Sequence, residues 1–182
     1  MDGPLESRDL DAAEVRALLA RSAALPAQTI AALVARGACL ALAESCTGGL
    51  CAARLTDVSG ASEAFVSSAV VYQTRAKTSL VGLDAAFVAR CGPVSAPVTR
   101  ALAEAARARA RSTLGLAITG WAGPSGGTAD DPIGTVYVAL AEAGRTRAWR
   151  FVVAGGRAEV REAAVALAIE RVRDWCGERR GG

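Results

Sequence analysis

The stretch ALAESCTGGL, Ala41–Leu50, decides how the chain is read. A short apolar run stops at small polar residues and two glycines. That pattern predicts a buried strand ending in a tight turn, with a helix opening at the glycines. Ser45 falls on the bend, where a nucleophile is presented rather than packed away. The chain has 182 residues and no histidine. A Ser-His-Asp triad and any histidine metal site are therefore excluded, and the proton of Ser45 needs another acceptor.

The apolar periodicity on either side of this stretch gives the rest of the architecture. Asp11–Arg21 and Ile30–Val34 have helical spacing, with a break or kink near Pro26. Ala38–Ala43 and the valine-rich Phe65–Tyr72 read as strands. Thr74–Val81 and Asp84–Arg90 read as short helices, and Ala96–Arg111 as a long alanine-rich one. Leu114–Thr119 is a buried strand that runs into the loop GWAGPSGGTADDPIGT. Val136–Ala141 and Trp149–Val153 read as paired strands turning at Gly144, followed by an amphipathic helix over Arg157–Cys176. Strands and helices alternate first and a hairpin comes late, which predicts an α/β fold: one domain over residues 11–182 with a mixed sheet between helices. Met1–Leu10 is polar and acidic and is expected to be a loose end.

Composition narrows the function. The hydrophobic fraction is 52%, enough for a sizeable core, and the net charge is only +3. Aromatic residues make up 4%, which argues against a base-stacking nucleic-acid platform. Arginines gather at Arg107, Arg109 and Arg111 and again at Arg179 and Arg180, which suits solvated helix ends. No basic start leads into an apolar run, and no stretch approaches the roughly 18 apolar residues of a membrane span. The expectation is a cytoplasmic protein that does not enter a membrane. The five cysteines form no CxxC pair, so free thiols are expected and no metal site.

Without histidine, Ser45 is left with a carboxylate, a cysteine thiolate or a lysine of lowered pKa as base. Of the 21 basic residues, Lys77 is the one lysine. Arginine cannot give up its proton at usable pH, whereas a desolvated lysine can. Tyr72 ends the strand before it, and Lys77 falls about one helical turn into the next element. Ser45 as nucleophile, Lys77 as base and Tyr72 as relay or orienting phenol make a coherent set, provided the fold brings them together. Two glycine-rich turns offer backbone N–H groups to an oxyanion or phosphate: Thr47-Gly48-Gly49, and Thr119–Thr128 with Gly120, Gly123, Gly126 and Gly127. Cys46 adjoins the nucleophile and is expected to pack beneath the turn.

The segments AESCTGGL, TDVSGASEAFVSSAVVYQTRAKTSLVGL, PVSAPVTRALAEAA and TGWAGPSGGTADDPIGTVYVAL occur in one order. Together they resemble the CinA C-terminal domain family, over about Leu19–Trp175. The resemblance implies a three-layer α/β/α domain that self-associates. It also implies hydrolysis of the carboxamide of nicotinamide mononucleotide to nicotinic acid mononucleotide and ammonia, with no cofactor. On that resemblance Ser45, Tyr72 and Lys77 are the catalytic residues, and Thr47–Gly49, Thr119–Thr128 and Arg157 bind substrate. The chain departs from the family pattern at Trp121, where a smaller aliphatic residue is usual, and at Asp131, where lysine is frequent. Arg157 also lacks the acidic or amide residue that often precedes it. Two other readings stay open: a non-catalytic nucleotide-binding or protein-interaction module of the same fold, and an amidase for a different amide.

Overall fold

The computed structural model describes residues 2–178; Arg179 and Arg180 lie outside them. A six-stranded sheet has the order β1-β6-β5-β4-β2-β3. Its strands are β1 (Asp2–Leu10), β2 (Leu40–Glu44), β3 (Phe65–Val70), β4 (Leu114–Gly120), β5 (Thr135–Glu142) and β6 (Arg145–Val153). β2 runs parallel to both β3 and β4, and β1 parallel to β6. The β4–β5 and β5–β6 pairs are antiparallel, so the sheet is mixed as expected. Every residue of β2 is buried, as a central parallel strand covered on both faces requires.

Helices α1 (Ala12–Ser22), α2 (Leu25–Ala35), α3 (Leu50–Thr56) and α7 (Arg157–Gly177) form one layer. The other layer is α4 (Thr74–Ser79), α5 (Ala85–Cys91) and α6 (Ala96–Ala110). α1 opens with a capping box in which Asp11 accepts from Ala13 and Glu14 while Glu14 accepts from the Asp11 N–H. The chain breaks before α2, where Pro26 occupies the first turn. α6 lies hard against β4: a Cβ on Gly115 would sit 2.0 Å from the Ala103 carbonyl oxygen. Only glycine lets the helix approach this closely.

Two expectations are corrected. The loose end is strand β1, bonded along β6 from Asp2 to Leu10 with a register shift between Asp2 and Leu5. It carries little apolar periodicity because it is an edge strand whose side chains from Pro4 to Asp9 are all exposed, Glu6, Arg8 and Asp9 among them. α7 is not amphipathic through its middle: Ala163 to Glu170 are all buried, because α7 is enclosed by the sheet and by α1, α2 and α3. No single helix among the described residues is long and apolar enough to cross a membrane.

Candidate active site

The parallel strands β2 and β3 end at one level of the sheet, with Glu44 in register with both Val70 and Ile118, and β4 runs two residues further to Gly120. The residues that follow them, Ser45, Tyr72 and Gly120–Gly123, meet at the carboxyl edge, where ligand crevices of α/β sheets form. A cavity of about 300 Å³ there is lined by Ser45, Cys46, Tyr72, Lys77, Trp121 and Arg157, with Pro93, Val94, Ser125 and the Gly120–Gly123 backbone completing its wall. A larger groove of about 550 Å³ lies between α1–α3 and α7 and contains none of the residues singled out by sequence.

Ser45 is fixed by its N–H, which donates to the Ile118 carbonyl at 2.9 Å, and is 7% exposed. Lys77, carried one turn into α4, is 1% exposed. Its Nζ lies 3.1 Å from Ser45 Oγ, to which it donates, and 3.2 Å from the Val71 carbonyl oxygen. Burial lowers its pKa from 10.5 to about 8; the neighbouring Cys46 opposes this slightly. The nearby exposed Arg75 is not a cause of the shift; its guanidinium donates to Gln73. The fold thus brings together a hydroxyl and a partly deprotonated amine at hydrogen-bond distance.

Tyr72 occupies the opposite rim and is 55% exposed. Its Oη accepts from Arg157 Nη2 at 2.7 Å, and Arg157 Nη1 donates to the Gly123 carbonyl at the same distance. Among the described residues Tyr72 makes no hydrogen bond to Lys77 or Ser45. It therefore faces the cavity as part of a Tyr72–Arg157–Gly123 bridge rather than as an aid to the amine.

None of Thr47, Gly48 and Gly49, the expected anion cradle, lines the cavity. The turn's Thr47 hydroxyl and Gly49 N–H, with donors from the start of α3, are taken by the buried carboxylate of Glu44. Oε2 accepts from Thr47 Oγ1 at 2.8 Å and from the Gly49 and Cys51 N–H groups at 3.0 Å. Oε1 accepts from the Ala52 N–H at 2.9 Å and from Ser68 Oγ at 3.0 Å. The Gly48 N–H closes on the Ser45 carbonyl. The anion favoured at the start of α3 is thus supplied by the chain itself. Arg161 of α7 holds the other side of the turn, donating to the carbonyls of Cys46 at 3.1 Å and Thr47 at 2.7 Å. Sequence reading missed both residues; the acid closing an otherwise apolar LALAE strand was the available signal for Glu44.

The second glycine-rich segment divides. Gly120 and Gly123 line the cavity, whereas Thr119, Gly126, Gly127 and Thr128 do not. Thr119 is buried and hydrogen-bonded to Thr99. Gly126 lies under the Trp121 ring, where a Cβ would come within 2.7 Å of it, and Thr128 exchanges bonds with Asp131. The backbone N–H groups of the cavity wall that are not bonded to a backbone carbonyl include those of Cys46, Ala122 and Gly123. Asp131 is drawn away from the cavity and neutralised, accepting from Tyr137 Oη and Arg150 Nε at 2.9 Å. The Cys46 thiol is buried, which pushes its pKa up to about 11 and leaves it a poor nucleophile.

An α/β/α domain with a buried serine–lysine pair at the carboxyl edge of its parallel strands is the class that fold and site define. Comparison with known proteins gives the family. The CinA C-terminal domain model matches residues 22–176. A CinA-like protein of Anaeromyxobacter sp. (strain Fw109-5) is 48% identical over 149 residues, which are 82% of this chain and 36% of that protein. Its counterpart in Myxococcus xanthus (strain DK1622) is 46% identical over 153 residues, covering 84% and 36%. The chain therefore spans about a third of the length of these curated relatives. Among solved structures, the competence damage-inducible protein A of Klebsiella pneumoniae subsp. pneumoniae superposes with a TM-score of 0.83 at 30% identity, covering 87% of this chain and 99% of that one. The competence/damage inducible protein of Agrobacterium tumefaciens gives 0.82 at 31%, covering 86% and 96%. The chain belongs to the CinA C-terminal domain family.

Proposed function

We propose that this chain hydrolyses the carboxamide of nicotinamide mononucleotide to nicotinic acid mononucleotide and ammonia, with Ser45 as nucleophile and Lys77 as its base. The observation that carries the reading is the 3.1 Å contact between Lys77 Nζ and Ser45 Oγ, made by a buried amine whose pKa is lowered to about 8. Neutral Lys77 takes the Ser45 proton as Oγ attacks the carboxamide carbon. The resulting oxyanion falls to the N–H of Cys46, assisted by those of Ala122 or Gly123. Protonated Lys77 then gives its proton to the departing nitrogen, the C–N bond breaks and ammonia leaves. Water attacks the acyl ester as Lys77 takes one of its protons; Lys77 returns that proton to Ser45 Oγ as the ester bond breaks, and the nicotinic acid carboxyl gives its own proton to solvent. Arg157 and Tyr72 stand at the rim, suited to the phosphate and ribose.

Ammonia release from nicotinamide mononucleotide, with nicotinamide riboside as comparison, tests the reading. Turnover of the nucleotide in preference to the riboside is expected. Binding of the nucleotide without turnover would establish a non-catalytic module instead.

A further inference from the structure

The lining of the candidate active site is one-sided in charge. Among the described residues that line its cavity, Lys77 and Arg157 are basic and none is a carboxylate. Glu44 is engaged by the Ser45 turn and Ser68, and Asp131 by Tyr137 and Arg150. Such a wall suits the phosphate of a nucleotide. It offers no counter-ion to an N-substituted pyridinium ring, which attack on the attached carboxamide would set beside Ser45.

Trp121 is placed to meet that positive charge. It directly follows β4 and lines the cavity together with Ser45 and Lys77. Its backbone is engaged at the start of β5: the N–H donates to the Thr135 carbonyl at 2.8 Å, and the carbonyl accepts from the Gly134 N–H at 2.7 Å. The indole is what the residue has left to present. Gly126, which does not line the cavity, packs against the ring, where a Cβ would come within 2.7 Å of it. That contact backs the ring from outside the cavity. The indole N–H is buried and has no hydrogen-bond partner among the described residues. An unpaired buried donor is a penalty that phenylalanine or leucine would not incur, so the ring serves by its face and not by its N–H. Tyr72, the other aromatic residue of the lining, stands exposed at the rim with its hydroxyl on Arg157.

We infer that Trp121 determines specificity by stacking its indole face on the cationic pyridinium ring of the substrate, so that the site selects carboxamides carried on a positively charged aromatic ring. The inference rests on the amidohydrolase reading of this cavity and names the substrate class within it. Tryptophan has the best aromatic face for a cation, most effective where water is excluded. Two flat rings also attract by contact area, so charge has to be separated from area. Reduction of the pyridinium to a dihydropyridine does this. It removes the charge and leaves the carboxamide, ribose and phosphate in place.

Calorimetry with nicotinamide mononucleotide and its dihydro form, on protein carrying Ser45→Ala to prevent turnover, tests the inference. This parent should bind the oxidised nucleotide more tightly. Trp121→Leu should cut the ratio of the two affinities by about tenfold, and Trp121→Phe by less, because a benzene face attracts a cation more weakly. Phenylalanine keeps a ring against Gly126, and circular dichroism confirms that each variant is folded. With Ser45 intact, Trp121→Leu should raise KM for nicotinamide mononucleotide about tenfold while kcat changes far less. A parent that binds both forms equally, or variants whose ratio matches the parent's, would overturn the inference while turnover of the nucleotide left the amidohydrolase reading standing. A protein that binds neither form would overturn both. The expected ratios without turnover by the Ser45 protein would support the role of Trp121 and sink the hydrolase alone.

Discussion

The pH dependence of the rate is the most direct probe of the Ser45–Lys77 pair. With a pKa of about 8, Lys77 is neutral in about a tenth of molecules at pH 7, half at pH 8 and about nine tenths at pH 9. If only the neutral amine can take the Ser45 proton, single-turnover ammonia release should rise about tenfold from pH 7 to pH 9 and level off above. At unperturbed lysine the same rise would continue beyond pH 10. Lys77→Arg keeps a cation in place but cannot accept a proton at usable pH. The variant should lose about two to four orders of magnitude in rate, while nucleotide binding changes far less. A cation that merely held a phosphate would instead survive the exchange with much of its activity. The assay is single-turnover ammonia release from both proteins across pH 6 to 10. A flat wild-type profile, or an arginine variant retaining more than about a tenth of the rate, would refute Lys77 as the base.

Ser45→Ala should abolish turnover yet leave binding of nicotinamide mononucleotide intact by calorimetry; near-normal ammonia release would move the chemistry to another group. Glu44→Gln leaves the Thr47, Gly49, Cys51, Ala52 and Ser68 donors facing an amide, so urea unfolding should show a loss of about 3 kcal/mol or more; unchanged stability would show that Glu44 does not hold the turn. Lys77→Met separates catalysis from stability. Because burial lowers the folded-state pKa from 10.5 to about 8, the unfolded chain holds the extra proton between those values and wild-type stability rises with pH across that window. Below pH 8 the burial penalty is present in full, about 3 kcal/mol, offset by two hydrogen bonds worth about 1 kcal/mol each. The methionine variant should therefore unfold at higher denaturant than wild type at pH 7, with the order reversed by pH 10; a variant less stable at both pH values would contradict the lowered pKa.

The alternation of apolar strands and helices announced the sheet and its layers, because buried parallel strands such as Leu40–Glu44 read as unbroken apolar runs. β1 was illegible for the opposite reason: an edge strand fixed by backbone pairing to β6 has no need of apolar alternation. The serine and lysine stood out by composition, since a chain without histidine that spends arginine almost everywhere leaves few groups able to exchange a proton. Their 3.1 Å separation follows from β2 and β3 lying side by side and ending in register, and no local pattern encodes it.

The glycine turns expose a different limit. A helix start rich in free N–H groups reads the same whether a ligand or the chain's own carboxylate fills it. Here Glu44, one residue before the nucleophile, fills it. On the proposed mechanism this has a consequence: the Glu44 carboxyl group within the turn takes the first donors of α3 out of the contest for substrate, while Ser45 is held through its own N–H on the Ile118 carbonyl and its carbonyl on the Gly48 N–H. Arg161 fixes the carbonyls of the same turn from α7. On the proposed mechanism, a nucleophile in a turn braced through Glu44 on one side and through Arg161 on the other needs little reorganisation on binding. Cavity N–H groups not bonded to a backbone carbonyl, among them those of Cys46, Ala122 and Gly123, are the ones that the proposed mechanism sets against developing charge, where electrostatic stabilisation is most effective.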